Sequence, residues 1–174
     1  MPVRGLLAAL FVFASGCTGA PAPHDNAADT RPALLAALDG HWVMVGDVMG
    51  TPVKYTLVVS PVLAGAFTEL HMTDTQEPPQ YEARVFVAHD KESGQIIAHW
   101  MDTFGAKGSV PHGAGEITGN TIEFIIPYAE GPFRDRLTRD AASGNWRFTI
   151  ESSDGSGTWK HFAAYEIQRA KQVP

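Results

Sequence analysis

The chain has 174 residues, 44% of them hydrophobic, with 13 Lys and Arg against 19 Asp and Glu for a formal net charge of −6. That length suits one domain with a real core. The acidic balance without any basic cluster argues against a nucleic-acid partner, and a single cysteine leaves no intramolecular disulfide to build on.

The chain opens MPVRGLLAALFVFASGC. One cation, Arg4, precedes an unbroken apolar stretch from Leu6 to Ala14, and the small residues Ser15 and Gly16 follow. Charge, a short apolar core and small residues are the layout of a signal peptide, here Met1–Gly16. The apolar run is about half of the ~20 residues needed to cross a bilayer, so a permanent transmembrane helix is not expected. Ala14-Ser15-Gly16-Cys17 resembles the lipobox of bacterial lipoproteins. The resemblance implies cleavage before Cys17, thioether lipidation of its thiol and acylation of the new N-terminus, which makes the lipid bilayer a partner. A free thiol in an oxidising compartment would be a liability, and Cys17 has no disulfide partner. Thr18 rather than Asp after the cysteine implies sorting to the periplasmic face of the outer membrane if the source is Gram-negative. Loss of Arg4 leaves 12 Lys and Arg against 19 Asp and Glu, a formal charge of −7, so adhesion to anionic lipid falls to the acyl chains.

Thr18–Pro32, TGAPAPHDNAADTRP, is small, polar and Pro-containing; with Cys17 it reads as a lipidated, disordered tether, residues 17–32. RPALLAALDG then predicts a short helix, with Pro32 in the first turn and Gly40 as its stop. From His41 the pattern changes to period two. About ten strands are expected, at 41–49, 53–60, 66–73, 81–89, 95–103, 108–117, 121–127, 132–139, 145–152 and 158–168. The turns between them are rich in Gly, Asn and Asp, as in Asp90–Gly94, Gly119-Asn120 and Asp154–Gly157. Evenly spaced strands with such turns, and no later stretch of helical period, predict an all-β, antiparallel up-and-down barrel over residues 33–174.

Alternation assigns faces. Val53, Tyr55, Leu57 and Val59 share one face of their strand, and Tyr81, Ala83, Val85, Val87 and His89 share one face of theirs. Trp146, Phe148 and Ile150 oppose Arg147, Thr149 and Glu151. In the last strand, Lys160, Glu166 and Gln168 belong outside, which sends Trp159, His161, Ala163, Tyr165 and Ile167 inward. The strand 95–103 is apolar on both sides, so either Trp100 and Asp102 or His99 and Met101 point in. For 132–139 there are again two choices. With Phe133 and Leu137 inside, Asp135 is an inward carboxylate needing a partner. With the strand flipped, Arg134 and Arg136 line the interior and favour an acidic ligand such as a fatty acid.

Leu38-Asp39-Gly40-His41-Trp42 places Gly-x-Trp at the start of the first strand, which resembles the opening signature of lipocalin-like (calycin) barrels. The resemblance implies that Arg169, just after the last strand, packs across Trp42 to close one end. Val62–Phe67 resembles a Leu-Gly-Gly-Arg-Phe-like turn. His89–Gly94 followed by Trp100-Met101-Asp102 resembles a Tyr-Asp hairpin leading to Trp-x-Asp. Together these resemble a bacterial domain-of-unknown-function family of lipocalin-like barrels, over about Ala33 to Ala170. His89 stands where that pattern has Tyr and Ala66 where it has Arg, and Gly105–Gly115 is richer in Gly and Pro than a clean strand. The resemblance implies a fold; it carries no activity.

Catalytic constellations are absent from the sequence: no Gly-x-Ser-x-Gly, no His-Glu-x-x-His, no Cys-x-x-Cys and no Gly-rich turn leading into a helix. The seven histidines, His24, His41, His71, His89, His99, His112 and His161, have no metal-ligand spacing, so neither metal nor cofactor is expected. The alternative is haem through an inward His161, which resembles the late-strand ligand of haem-binding relatives of this barrel class. The pocket candidates are therefore Tyr55, Tyr81, Trp100, Asp102, Asp135, Trp159 and His161. Three readings follow in order: a lipid-tethered barrel binding a small hydrophobic or amphipathic ligand, a structural or interaction module of the envelope with a packed interior, and an enzyme. Cavity volume separates the first two, since a barrel of this size either fills with side chains or holds one ligand.

Overall fold

The computed structural model describes residues Asp29–Lys171, so the signal peptide, Cys17 and most of the expected tether lie outside the described residues. One helical turn, α1 (Ala33–Ala36), precedes ten strands: β1 (Gly40–Val48), β2 (Thr51–Val62), β3 (Phe67–Asp74), β4 (Glu82–His89), β5 (Ile96–Asp102), β6 (His112–Thr118), β7 (Thr121–Tyr128), β8 (Gly131–Arg139), β9 (Trp146–Ser153) and β10 (Trp159–Arg169). Each strand pairs antiparallel with the next, and β1 also pairs with β10, so the sheet closes into a barrel. The fold is the all-β barrel expected from the period-two pattern. Among the described strands closure removes free edges except at the β5–β6 seam, where pairing stops at His99.

Local chemistry explains the turns. Asp90–Gly94 and Asp140–Gly144 have the same build: the Asp side chain accepts from Ser93 or Ser143, and the Gly N–H returns to the Asp carbonyl at 2.8 Å. An Asp that satisfies the next backbone groups, followed by a Gly at positive φ, is a self-contained hairpin signal.

The end that carries α1 is closed. Pro32 is the cap of α1 rather than a first-turn residue, and its carbonyl accepts the Ala36 N–H. The turn aims Leu35 and Leu38 into the barrel, where both are buried. The Leu38 carbonyl accepts the indole N–H of Trp42 at 2.6 Å. Over that indole the Arg169 guanidinium lies 3.8 Å from the ring centroid and donates to the Asp39 carbonyl at 2.7 Å. Gly40 is not the stop of a helix but the first residue of β1, at φ +128°, and a Cβ there would lie 2.0 Å from Arg169 Nη1. Gly-x-Trp is thus the space and the platform for one arginine.

The described part of the expected tether, Asp29–Pro32, is attached to this same end. The Arg31 side chain is nearly buried and bonds to Asp29, Asp39 and Thr68, and Thr68 is itself fully buried. Ordered structure begins before Ala33.

Two expectations about the strands need correction. β6 begins at His112, not at 108, because Ala106–Ser109 forms a 3₁₀ turn. The Gly- and Pro-rich run there is a loop, and β5 is paired with β6 only over Ile96–His99. In β10 the register slips between His161 and Ala163, so Phe162 is an extra residue, and its carbonyl is taken by the Met49 N–H at 2.7 Å. A bulge reverses the alternation on its far side. Ala163, Tyr165 and Ile167 point in as expected, and Phe162 joins them. His161 and Trp159 are sent outward instead: His161 pairs with Asp47 at 2.7 Å on the surface, and Trp159 lies under the guanidinium of Arg134.

Candidate ligand-binding site

The middle of the barrel is filled. Met44, Leu57, Leu70, Met72, Val85, Phe124, Leu137, Phe148 and Ile167 meet there beneath Trp100, leaving a void of about 10 Å³. That is no more than one water needs, and the lining is apolar. Above Trp100, toward the end opposite α1, the interior is hollow. A cavity of about 250 Å³ lies among the ends of β4, β5, β7, β8, β9 and β10.

Each wall follows from strand register. β5 turns Ile96, Ala98 and Trp100 inward, with Asp102 on the same face, and His99 and Met101 outward. This decides the choice that the sequence left open. β8 turns Phe133, Asp135 and Leu137 inward, opposite Arg134 and Arg136. Those two arginines pair with Glu151 and Glu123 on the outer face, so no arginine reaches the cavity. Ile126 and Tyr128 come from β7, Ile150 from β9 and Phe162 from the β10 bulge. Phe104 and Gly108, in the loop that replaces the start of β6, cover the gap beyond the β5–β6 pairing; Glu130 stands at the β7–β8 turn.

The aromatic groups are locked against one another. Phe133 meets Tyr128 at 5.4 Å and Phe162 at 4.9 Å between centroids, both edge to face. Tyr81 meets Tyr55 at 5.8 Å, and Tyr55 meets Tyr165 at 5.9 Å. Edge-to-face pairs of this kind contribute about 0.5–1.5 kcal/mol each beyond area burial, so the walls are rigid. Phe104 packs on Tyr81 at 5.8 Å yet is 81% exposed, which marks the mouth.

The two inward carboxyls differ. Asp102 is fully used: its Oδ2 accepts from Tyr81 Oη at 3.1 Å and Trp100 Nε1 at 3.2 Å, and its Oδ1 accepts from the Phe104 N–H at 2.9 Å. It orients Trp100 and Tyr81 as cavity walls. Asp135 is 2% exposed and has no hydrogen-bond partner among the described residues, and burial pushes its pKa well above the ordinary carboxylate range. Burial, and then the nearby Asp135 and Asp102, push Tyr128 up to about 12. Burial also raises Tyr81, with Asp102 as the second cause, and Tyr165, with Tyr55 as the second.

Of the seven pocket candidates, Tyr81, Trp100, Asp102 and Asp135 line the cavity. Tyr55 stands behind Tyr81 in the wall. Trp159 and His161 are outside, so the interior imidazole on which haem binding through His161 depends is missing from this geometry. Sequence reasoning missed Tyr128, Phe104, Glu130 and Phe162 as lining residues. Tyr128 has the parity of Phe124 and Ile126 and could have been found by running β7 one residue further. Phe162 could not, because nothing local announces the bulge.

No protein-family model and no curated protein matches the chain. Among solved structures, the crystal structure of Rv2717c from M. tuberculosis is similar over 81% of this chain and 99% of its own, with a TM-score of 0.54 and 13% sequence identity. A likeness at that identity is one of fold: the chain shares a β-barrel architecture with that protein.

Proposed function

We propose that the protein is an envelope barrel that binds one small apolar or amphipathic molecule in the cavity above Trp100, held near a membrane by the lipid on Cys17. The observation that carries the reading is the hollow half of an otherwise packed barrel: about 250 Å³ lined by six aromatic side chains, a few aliphatic ones and a few placed polar groups. Ligand sites have this composition. A packed structural module would account for the filled middle layer but not for the hollow above it.

The volume limits the occupant. A cavity of roughly 150 Å³ holds benzene, so this one suits a molecule of one or two rings, or a short chain of similar bulk. The open arginines that would have favoured a fatty acid face solvent instead. Native mass spectrometry of the soluble form starting at Thr18 tests the reading, with Ile150→Trp as the variant that fills the cavity. A small molecule retained by the wild type and lost in Ile150→Trp is the expected result. A wild type that is empty as isolated and takes up no aromatic probe returns the protein to the structural reading. The anchor is tested separately: Cys17→Ser should release the protein from the membrane fraction, and retention there with the signal still cleaved would remove Cys17 as the anchor.

A further inference from the structure

We propose that the cavity selects an organic cation, a small ammonium with an apolar body, and that Asp135 is its counter-ion. This rests on the binding reading above and names the charge of the occupant. Three observations carry it. The lining holds three carboxyls, Asp102, Glu130 and Asp135, and no Lys, Arg or His. Its remaining surface is dominated by aromatic rings, whose faces are negative and attract cations while repelling anions. Asp135 lies in the cavity wall, 98% buried, with no donor among the described residues bonded to it.

Asp102 sets the contrast. Three donors already satisfy it, so it has little to offer a ligand. Asp135 has the opposite character: no donor among the described residues bonds it, and its carboxyl belongs to the cavity wall, where a ligand N–H can supply the bond. It sits two residues deeper along β8 than Phe133, opposite Phe124 of β7 and Ile150 of β9 in the register. An ammonium that reaches it passes Glu130 and Phe104 at the mouth and sits beside the rings of Trp100, Phe133 and Phe162. An anion would meet three carboxyls and no positive group.

The proton balance gives a signature. Burial favours the neutral form of Asp135 in the empty cavity. When R–NH₃⁺ enters, the carboxyl gives its proton to solvent and the pair becomes R–NH₃⁺ with carboxylate. Binding therefore tightens with rising pH, by up to about tenfold per unit, until the free carboxyl would itself ionise. The other titratable groups facing this space are Asp102 of β5, Tyr81 before β4, Glu130 and Tyr128 at the end of β7, and Tyr55 and Tyr165 from β2 and β10. The four tyrosines are pushed upward, away from neutral pH.

The test uses three probes of one shape: phenethylammonium chloride, 2-phenylethanol and sodium phenylacetate, titrated calorimetrically into the protein at about pH 5.5 and about pH 8. The expected result is ammonium over alcohol by about tenfold or more at the higher pH, a smaller preference at the lower, and no binding of phenylacetate. Asp135→Asn should remove the preference and its pH dependence while keeping 2-phenylethanol. The alcohol bound as well as the ammonium, or an unchanged preference in Asp135→Asn, overturns the cation assignment and leaves the binding reading in place. Failure of both the ammonium and the alcohol overturns the two together. If Asp135→Asn does not fold, the wild type decides alone: no preference for phenethylammonium over 2-phenylethanol at either pH overturns the proposal.

Discussion

Replacing Asp135 by Asn gives a stability difference whose dependence on pH can be worked out from the structure. The carboxyl is 2% exposed and has no hydrogen-bond partner among the described residues, and its folded pKa is raised by desolvation. In the unfolded chain it titrates near the ordinary value of about 3.9. Above that value the unfolded chain gives up the proton while the folded protein keeps it, so stability falls as pH rises. The slope is about 1.4 kcal/mol per pH unit, and it persists until pH reaches the folded pKa. Asn is nearly the same shape and does not titrate. The exposed Asp47, Asp90, Asp140 and Asp154, whose pKa values are lowered by hydrogen bonds, act in the opposite sense at lower pH but are common to both proteins and cancel. Urea unfolding of ligand-free wild type and Asp135→Asn, at steps from about pH 4.5 to about pH 7.5, reads the difference directly. The advantage of Asn should widen with rising pH, by up to about 1.4 kcal/mol per unit for as long as the folded carboxyl keeps its proton. Parallel curves would mean that Asp135 finds a partner or solvent, and the account of the cavity floor would be wrong.

Gly40→Ala should destabilise by about 2–4 kcal/mol, because φ near +128° suits only glycine and the methyl would displace Arg169 from Trp42. A midpoint in urea like that of the wild type would refute this account of the closed end. Arg31→Ala leaves the buried Thr68 hydroxyl and Asp39 without their donor, an expected loss of about 1–3 kcal/mol by the same assay; no loss would return Arg31 to the tether. His161→Ala breaks only a surface pair with Asp47, so the urea midpoint should hardly move and probe binding should be unchanged. Loss of probe binding in that variant would put His161 back inside.

Much of the barrel could be read from local chemistry. Alternation in 53–60 and 145–152 fixes faces because one side of a strand is apolar and the other is not, as with Phe148 beside Arg147 and Thr149. Turns such as Asp90–Gly94 carry their own hydrogen bonds and need no help from the rest of the chain. The site was legible only in part. Trp100 and Asp102 were singled out as residues, but β5 is apolar on both faces, and only the barrel around it decides which side is in. Asp135 was one of two symmetric choices, decided when Glu123 and Glu151 on flanking strands took Arg136 and Arg134 at the surface.

The sequence by itself determined the period of the strands and the self-contained turns, and it shows an apolar stretch running up to Cys17 with a small, polar segment after it. All of these are set by residues adjacent along the chain. Tertiary structure alone decided where the interior is full and where it is hollow, because that depends on which side chains from six strands meet at one level. It also decided the fate of His161 and Trp159. A single extra residue, Phe162, is accommodated because Met49, far away in the chain, supplies a donor for its carbonyl. Alternation is a local rule, and a bulge held by a distant hairpin breaks it without leaving a mark in the sequence.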